Sequence, residues 1–271
     1  MDATRSAQSI RGQDEQKLYD ELKSAVWVIH VESDESSGTG TGFCIDQRGL
    51  IMTCAHCVSG KTCFVARQND KKFQKAYVLH KIESWDIAIL CFVPNGSDAY
   101  PAVSLANDGT LVPGQDVYAI SNQHSLMYSF CSGKVSYPCS DTVRTFDRTP
   151  RSFGKEPTDH IPSETSEYRT QKETSFTLPF NEDLPIIEMR NIHLGHGGSG
   201  GPIFLPIGKV VGMISSGDFS KSYAVHVSAL RIAFEEAKKL YSKLVNRLAA
   251  SEKQSRDKNE GKNESNKSNE K

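Results

Sequence analysis

Short apolar runs separated by turn-forming residues dominate the chain from Val26 onward, and they limit its fold more than any other feature. The runs are rich in β-branched and aromatic residues, and Gly, Pro, Asn or Asp interrupts them. In chain order the first seven read WVIHV, GFCID, LIMTC, CFVAR, AYVLHKI, IAILCFV and VYAIS. Runs that recur about every ten residues are typical of a β-barrel or β-sandwich. No helical pattern alternates with them, which argues against a parallel α/β sheet.

Two helical patterns flank this β-rich region. In the polar segment 1–24, Leu18 and Leu22 are four residues apart and predict a short helix that leads into the core. Near the other end, Ser228 is a residue type that caps helices, and a helix is predicted over residues 231–250. The apolar residues at helical spacing there are Leu230, Ala233, Phe234, Ala237, Leu240, Tyr241, Leu244 and Leu248.

Two other segments lack the apolar residues that a packed core needs. Residues 138–185 contain six of the 11 prolines among Ser, Thr and mixed charge, which predicts a long loop inserted between strands. Strand-like runs return after it as IIEMRNIHL, KVVGMISS and YAVHVS. Residues 251–271 contain no apolar residue, and we expect a disordered, charged tail.

Charge and hydropathy exclude several classes of protein. Lys and Arg number 32 against 33 Asp and Glu, whereas nucleic-acid binders carry a basic excess, so no nucleic-acid partner is expected. No apolar run approaches the roughly 20 residues that span a bilayer, so no membrane association is expected. The first 25 residues lack the apolar region of a secretory signal, which predicts an intracellular protein, cytoplasmic or nuclear. An odd number of cysteines, seven, cannot pair completely, and we expect buried, unreactive thiols.

The segment Gly195-His-Gly-Gly-Ser-Gly-Gly-Pro202 is the first candidate for chemistry. Glycines around a single serine permit a turn that residues with a Cβ atom would resist. The N–H groups of Gly197 and Ser199 could then converge on one point and form an oxyanion hole, where each donor is worth roughly 3–4 kcal/mol of transition-state stabilisation. An ordinary glycine-rich turn is the alternative interpretation.

Two further residues are candidates for chemistry, and each lies at the end of a predicted apolar strand. His56 lies in the segment TCAHC directly after the apolar run LIMTC, and Asp86 precedes the apolar run IAILCFV. A buried carboxylate needs a partner, and the N–H of an imidazole can provide it. Either residue alone would more often be structural. The order His, Asp, Ser along one chain makes a catalytic arrangement the better interpretation.

These segments together resemble the trypsin-like, chymotrypsin-fold serine proteases. TCAHC is similar to the TAAHC histidine motif of that family, and GGSGGP is similar to its GDSGGP serine motif. The resemblance is greater to the HtrA/Deg branch, whose segments are similar to GTGFCIDQRGLIMTCAHCV, VPGQDVYAISN, SGKVS and IIEMRNIHLGHGGSGGP. It covers about residues 25–245 apart from the insertion. The residues after the last predicted strand are too few for the PDZ domain of HtrA enzymes, so we expect none.

The resemblance implies an all-β fold of two six-stranded antiparallel β-barrels with a C-terminal helix. The first barrel would comprise residues 25–108 and carry His56 and Asp86. The second would comprise residues 109–230, carry Ser199 and contain the insertion. The cleft between the barrels would hold the three residues.

The resemblance also implies a serine endopeptidase that hydrolyses polypeptide substrates through an acyl-enzyme, without a cofactor or a metal. Ser199 would be the nucleophile, and His56 would act as general base and then as general acid. Asp86 would hold the imidazole tautomer, and the amides of Gly197 and Ser199 would form the oxyanion hole. The oligomeric state stays open, with a trimer allowed by family analogy.

Two departures from the family pattern affect these expectations. Gly198 stands where relatives have Asp or Asn, so no carboxylate can receive a newly cleaved N-terminus and activation by clipping is not expected. The same glycine predicts a looser oxyanion loop. Gly40 stands where secreted trypsins have the disulfide partner of Cys57, which is therefore expected to be a free thiol.

The specificity residues are assigned by analogy alone. Ile214, Ser215, Ser216 and Gly217 would line the S1 pocket and offer an edge to extended substrate. His193 would lie near the base of the pocket. No acidic residue stands there, so a small or medium apolar P1 residue is favoured over Lys or Arg.

Three alternatives stay open. The fold could be retained for binding peptides or proteins, with catalysis lost or dormant. Thiols and an imidazole could instead form a zinc site, although their spacing is unfamiliar for zinc; the residues concerned are Cys54, His56, Cys57 and Cys63. The 138–185 insertion could gate the activity or simply be a tolerated surface loop.

Overall fold

A computed structural model describes the larger part of the chain. It covers residues 2–33, 37–58, 62–68, 70, 72–92, 99–107, 111–124, 126–138, 184–192, 195–217 and 221–245, with the backbone alone for residues 2–11. The predicted tail over 251–271 lies outside the described residues, as do residues 139–183 of the predicted insertion.

Six strands in the first half of the chain form a closed antiparallel barrel. They pair in the order β1-β2-β3-β6-β5-β4, and β4 pairs with β1 to close the ring. Closure gives every strand two neighbours, so the barrel has no exposed edge. The strands are β1 (Val26–Glu32), β2 (Ser37–Asp46), β3 (Leu50–Thr53), β4 (Thr62–Ala66), β5 (Gln74–Ile82) and β6 (Ile87–Phe92).

Six strands in the second half form another closed antiparallel barrel, in the order β10-β11-β12-β9-β8-β7. The predicted insertion joins β8 to β9, which are paired neighbours in this barrel. The prediction of two six-stranded antiparallel barrels is therefore confirmed. The strands are β7 (Asp116–Gln123), β8 (Leu126–Pro138), β9 (Ile186–Arg190), β10 (Pro202–Phe204), β11 (Val210–Gly217) and β12 (Ser222–His226).

Strand alternation divides the apolar residues among three packed clusters. Side chains on one face of β3 and β6 fill the first barrel, as Ile51 and Leu90 do. Those on the opposite face, such as Met52 and Ile89, join residues of the second barrel in a cluster between the two barrels. Because successive side chains on a strand point to opposite faces, β3 and β6 are buried along their whole length. The shared cluster holds the barrels together and fixes the cleft between them.

The N-terminal helix is longer than its apolar pattern predicts. α1 extends over Asp2–Leu22, whereas the pattern indicated only a short helix. Its early turns are polar and carry no apolar periodicity, so nothing in the sequence marks where it begins. Its last turns pack on the second barrel, where the side chains of Leu18 and Leu22 approach Gly208 and the ring of Tyr19 lies 5.8 Å from that of Phe130.

The C-terminal helix, α3, begins earlier than predicted. It occupies residues 227–245 of the described chain rather than beginning at residue 231. His226, the last residue of β12, takes the capping role expected of Ser228, because its Nδ1 accepts the Ser228 N–H at 3.2 Å. The buried side chains of Ala233 and Ala237 seat the helix on the shared cluster. None of the described helices has the length and apolarity needed to cross a membrane.

Candidate active site

His56 stands at the end of a buried strand. β3 leads through Cys54 into α2 (Ala55–Val58), a single turn in which the Cys57 N–H donates to the Cys54 carbonyl oxygen at 3.2 Å. Thr53 anchors the strand, because its buried hydroxyl donates to the carbonyl oxygen of Thr41 on β2 at 2.7 Å. The backbone below His56 is therefore held in place, while half of its side chain is exposed.

Asp86 is bound to the His56 turn by backbone and side-chain hydrogen bonds. It follows the 3-10 turn Glu83–Trp85 with a left-handed backbone, at φ 54°, which Asp adopts more readily than most residues. Its carbonyl oxygen accepts the Ala55 N–H at 3.2 Å, and its Oδ1 accepts the His56 N–H at 3.0 Å. Both carboxylate oxygens lie 2.9 Å from His56 Nδ1. This contact makes Nδ1 the donor and leaves Nε2 for the cleft.

The electrostatics of this pair favour the charged forms of both side chains. Burial of the Asp86 carboxylate opposes its ionisation, but hydrogen bonds from His56 and from the Ser215 hydroxyl outweigh burial and lower the pKa of Asp86. The hydrogen bond to Asp86, followed by the interaction with the Cys57 sulfur, raises the pKa of His56 to about 10. A proton accepted by the imidazole is therefore stabilised in place.

Ser199 lies on a loop that only glycines can form. Gly197 and Gly200 have φ values of 92° and 86°. A Cβ atom at Gly197 would lie 2.4 Å from the Asn122 carbonyl oxygen, and one at Gly200 would lie 2.1 Å from the Thr41 carbonyl oxygen. These contacts draw the loop against both barrels and bring Ser199 to the cleft.

The peptide that carries the Gly197 N–H and the peptide that carries the Ser199 N–H are each held by their carbonyl oxygens. The His196 oxygen accepts the His124 N–H at 2.7 Å, and the Gly198 oxygen accepts the Gly201 N–H at 3.1 Å. In a trans peptide the N–H points opposite to the C=O, so the N–H groups of Gly197 and Ser199 point away from these partners. The Gly198 N–H also donates to the Gly195 oxygen at 3.0 Å, which closes a turn within the loop.

Thr41 connects the serine loop to the first barrel. Its N–H donates to the Ser199 carbonyl oxygen at 3.0 Å, and its hydroxyl donates to the Gly197 carbonyl oxygen at 2.7 Å. The same hydroxyl accepts the Asn122 N–H at 2.8 Å. One fully buried side chain thus links β2, β7 and the serine loop. Sequence reasoning missed this residue because no motif marks it.

The resting hydroxyl of Ser199 donates to the carbonyl oxygen of Ser215 at 3.2 Å. Within the described part of the chain it makes no hydrogen bond to His56. The Ser215 hydroxyl donates to Asp86 Oδ2 at 2.5 Å, so Ser215 contacts both the carboxylate and the serine. The predicted site residues His56, Asp86, Ser199 and Ser215 therefore lie together.

A cleft of about 640 Å³ runs between the barrels at this point. Three of the residues that were predicted to line the S1 pocket line this cleft, namely Ser215, Ser216 and Gly217. Ile214, which was predicted with them, has no exposed side-chain surface and packs inside the second barrel. The Ile214 carbonyl oxygen accepts the Gly200 N–H at 2.8 Å, so its contribution is through the backbone. His193 lies outside the described residues. The cleft is lined by Val31, Gly38, Thr39, His56, Cys57, His124, Gly195, His196, Gly197, Ser199, Ser215, Ser216 and Gly217.

Two histidines in the cleft were not predicted. His124 closes the β7–β8 turn with φ 50°, and its ring packs so tightly on Gly195 that a Cβ atom there would lie 1.9 Å from Nε2. The ring of His196 meets it edge-on at 6.4 Å. The turn that brings them together could not be read from the sequence.

One group of side chains in the described residues could hold a metal ion. Ligand atoms of Cys54, His56 and Asp86 all lie within 4.8 Å of one another. The predicted zinc alternative included Cys57 and Cys63, which are not members of this group. A cation here would use the same atoms that join His56 to Asp86, so it would compete with that hydrogen bond.

Cys57 is a free thiol, as are the other five cysteines that the structure describes. A Cβ atom built on Gly40 would lie 3.6 Å from the Cys57 Cβ and 3.3 Å from its Sγ. Gly40 therefore occupies the position from which a partner cysteine would reach Cys57, as the sequence indicated.

Comparison with known proteins identifies relatives that are named as serine proteases. A probable periplasmic serine endoprotease DegP-like of Halomonas elongata is 28% identical over 190 residues, which cover 70% of this chain and 31% of that protein. The serine protease HTRA1 of Xenopus laevis is 26% identical over 200 residues, covering 70% of this chain and 36% of its own. The chain therefore spans about a third of the length of the curated relatives it matches.

Solved structures share the fold. The serine endoprotease of Yersinia pestis superimposes with a TM-score of 0.59 at 17% identity, over 82% of this chain and 66% of that one. The active form of the Rv3671c protease of M. tuberculosis gives 0.59 at 19% identity, over 80% and 82%. The profile of the trypsin-like peptidase domain family matches residues 40–213. With more than half of its length matched and HtrA and DegP proteins among its relatives, the chain belongs to the trypsin-like peptidase family, on its HtrA branch.

Proposed function

We propose that the chain is a serine endopeptidase that hydrolyses polypeptides through a covalent acyl-enzyme. One observation carries the proposal. His56 of the first barrel, which is hydrogen-bonded to Asp86, lines the same cleft as Ser199 of the second barrel. The relatives named as serine endoproteases support the same reaction class.

In the proposed mechanism, Ser199 is the nucleophile. Its hydroxyl turns from the Ser215 carbonyl oxygen toward His56 Nε2, which takes the proton as Oγ attacks the peptide carbonyl. The N–H groups of Gly197 and Ser199 stabilise the oxyanion, with each donor worth roughly 3–4 kcal/mol. Asp86 stabilises the imidazolium that forms.

His56 then donates its proton to the leaving amine, and the peptide C–N bond breaks to leave an ester on Ser199. A water molecule loses a proton to His56 and attacks this ester, and the proton returns to Ser199 Oγ as the acid product leaves. No metal or cofactor takes part in these steps.

One contact favours a second candidate function, in which the fold binds peptides or proteins without cleaving them. The Ser199 hydroxyl donates to Ser215 in the described structure, and a serine held there is not activated by His56. Catalytic hydrogen bonds often tighten only when substrate binds, so this contact is also compatible with an active enzyme.

A fluorophosphonate probe separates the two functions, because it labels only a serine activated by its neighbours. We expect labelling of the unsubstituted protein, none of Ser199→Ala, and full labelling of Ser242→Ala, whose hydroxyl lies on α3 and donates to Lys238. If the folded protein is unlabelled even at alkaline pH, yet Ser199→Ala binds peptides, the binding function replaces the enzyme.

For specificity, we infer that residues Ser215–Gly217 present a backbone edge to an extended substrate and that a small or medium apolar P1 side chain is preferred. The side chains of β11 at the cleft are serines and a glycine, which leave room and carry no charge. Profiling with a P1 peptide library tests this inference, and dominant cleavage after Lys or Arg would contradict it.

The compartment and the oligomeric state of the protein are two further inferences. Six free thiols among the described residues suit a reducing, intracellular compartment, cytoplasmic or nuclear, although five DegP-like relatives are named as periplasmic. Imaging of a tagged chain tests the compartment. Light scattering after gel filtration tests the trimer that family analogy allows.

A further inference from the structure

Two thiols lie on either side of the Ala55–His56 dipeptide. Cys54 ends β3 and Cys57 lies one turn later, joined by the hydrogen bond from the Cys57 N–H to the Cys54 carbonyl oxygen at 3.2 Å. Residues three apart in such a turn have Cα atoms within about 7 Å, the spacing that a disulfide needs. The two sulfurs also interact electrostatically. The backbone spacing of the two cysteines therefore meets the Cα requirement for a disulfide.

The two thiols differ in access to solvent. Cys57 is partly exposed and lines the cleft, so a small molecule in the cleft can reach its sulfur. Cys54 has no exposed surface, and its Sγ donates to the Ile214 carbonyl oxygen at 3.1 Å. An oxidant would therefore meet Cys57 first, and Cys54 would be the protected second thiol.

The pKa values of the two thiols also differ in the direction that makes Cys57 the more reactive one. Interaction with Cys54 and then with His56 outweighs burial and the nearby Asp86 charge, and together they lower the pKa of Cys57. Burial raises the pKa of Cys54. A thiolate is the reactive form of cysteine, and an exposed thiolate beside a second thiol is the arrangement of redox-sensing cysteines.

We propose that Cys54 and Cys57 are a redox pair, which a hydroperoxide converts into an intramolecular disulfide that encloses His56. The Cys57 thiolate attacks the peroxide and breaks its O–O bond, giving a sulfenic acid on Cys57 and an alkoxide, or hydroxide from hydrogen peroxide, which takes a proton from solvent to become the alcohol or water. The Cys54 sulfur then attacks the Cys57 sulfur, the S–O bond breaks, and the hydroxide leaves as water with the proton of Cys54. Two electrons pass from the thiols to the peroxide.

Disulfide formation alters the surroundings of His56. It ends the hydrogen bond from the Cys54 Sγ to the Ile214 carbonyl oxygen and removes the free Cys57 sulfur, whose interaction with His56 raises the pKa of the imidazole. It also ties both ends of the turn that presents the imidazole. Oxidation therefore lowers the peptidase rate, a consequence that rests on the proposed function, whereas the pairing itself does not.

The pairing is tested on the full chain carrying Ser199→Ala, which removes proteolysis from the measurement. The protein is treated with hydrogen peroxide, alkylated, and digested after Lys and Arg without reduction, so that peptide 49–61 contains Cys54 and Cys57 and no other cysteine. We expect this peptide to lose two hydrogens and to resist alkylation until a reductant is added. Fragmentation distinguishes oxygen added to Met52.

Two variants in the same background complete the test. Cys54→Ala should stop at a sulfenic acid on Cys57 that dimedone traps, because the second thiol is missing. Cys91→Ala, which removes a buried thiol of β6, should still form the disulfide. The proposal is overturned if both thiols of peptide 49–61 remain alkylatable after peroxide, or if Cys57 passes to sulfinic acid without a disulfide.

The effect on the rate is measured with Ser199 intact. Peroxide should lower the peptidase rate at least several-fold, dithiothreitol should restore it, and Cys57→Ala should remove the response to peroxide. An unchanged rate despite a formed disulfide would contradict the effect on His56. If the protein has no peptidase activity at all while the disulfide forms, the proposed function fails and the redox pair stands.

Discussion

At the residue scale, the Asp86 carboxylate connects several groups of the candidate site. Its carboxylate accepts hydrogen bonds from the His56 imidazole, the His56 N–H and the Ser215 hydroxyl. These donors satisfy a buried negative charge that would otherwise be costly. The same contacts stabilise a positive charge on His56, and they therefore determine how the site responds to pH.

Replacement of Asp86 by Asn should lower kcat/KM by about 10⁴-fold, because an amide no longer holds Nδ1 as the donor. The reaction needs neutral His56, so the raised pKa of His56 places the acid limb of the pH profile in the alkaline range. Loss of the carboxylate removes the main cause of that rise and moves the limb to lower pH. Profiles of kcat/KM against pH measure both effects. Glu83→Gln, which neutralises an exposed carboxylate nearby, is the control, and an unmoved limb in Asp86→Asn would contradict the assignment.

Thr41 is a positioning residue, because its hydroxyl holds the Gly197 carbonyl oxygen without lining the cleft. Thr41→Val should leave that oxygen and the Asn122 N–H without their partner, at a cost of roughly 1–3 kcal/mol. If this cost falls on the oxyanion loop, kcat drops about 10- to 100-fold with little change in KM. Steady-state kinetics on a peptide substrate check it. Thr41→Ser keeps the hydroxyl and should retain most of kcat, and equal kcat values for the Val and Ser variants would refute the role.

At the scale of elements, β2 and α2 lie close enough to be linked covalently. The distance of 3.6 Å from a Cβ on Gly40 to the Cys57 Cβ is within the usual disulfide range, and the Ser199 carbonyl oxygen would be 3.7 Å away. No disulfide therefore holds Cys57 and the turn that carries His56, at a place where one would fit.

Gly40→Cys should form a disulfide with Cys57 in mild oxidant and raise the stability by about 3 kcal/mol, as expected for closing a loop of this length. The expected readout is a higher Tm that falls to the value of the unsubstituted protein when dithiothreitol is added. In Gly40→Cys with Cys57→Ala, the oxidant should have no effect on Tm. A Gly40→Cys protein whose two thiols stay reactive would show that the strand and the turn are farther apart.

At the scale of the whole molecule, the cluster between the barrels includes residues of the N-terminal helix α1 and of the C-terminal helix α3. Leu18 of α1 and Ala233 of α3 belong to the same cluster as Met52 and Ile120. The helices are therefore part of the structure that holds the two barrels, and with them the cleft, in a fixed relation. A change in a helix should alter the stability of the molecule before it alters the chemistry of the site.

Leu18→Ala should reduce the free energy of unfolding by about 2–5 kcal/mol, through lost burial and the cavity left beside Gly208. Chemical denaturation measures the loss, and kcat/KM of the folded protein should stay near that of the unsubstituted chain. Gln16→Ala, on the exposed side of α1, is the matched control. Equal stability of the two variants would mean that α1 does not take part in the shared cluster.

Much of this arrangement could be predicted because the signals are local. His56, Asp86 and Ser199 each lie in a short segment whose residue types reveal its conformation, and the turn glycines around Ser199 are needed for their φ values. The contacts of Thr41 with Gly197 and of Cys54 with Ile214 join residues 156 and 160 positions apart, and no pattern marks either pair. The full length of α1 was not predicted, because the polar early turns of this helix show no apolar residues at helical spacing.

By itself, therefore, the sequence determined the all-β class, since strand alternation and glycine turns are properties of neighbouring residues. The two-barrel fold and the catalytic roles of His56, Asp86 and Ser199 followed from the resemblance of its motifs to the trypsin-like serine proteases. Only the tertiary structure decided how the serine loop is held, where the helices begin, and which thiols lie beside His56. Those features depend on close packing between two barrels and two helices, and packing brings together residues that the chain keeps far apart.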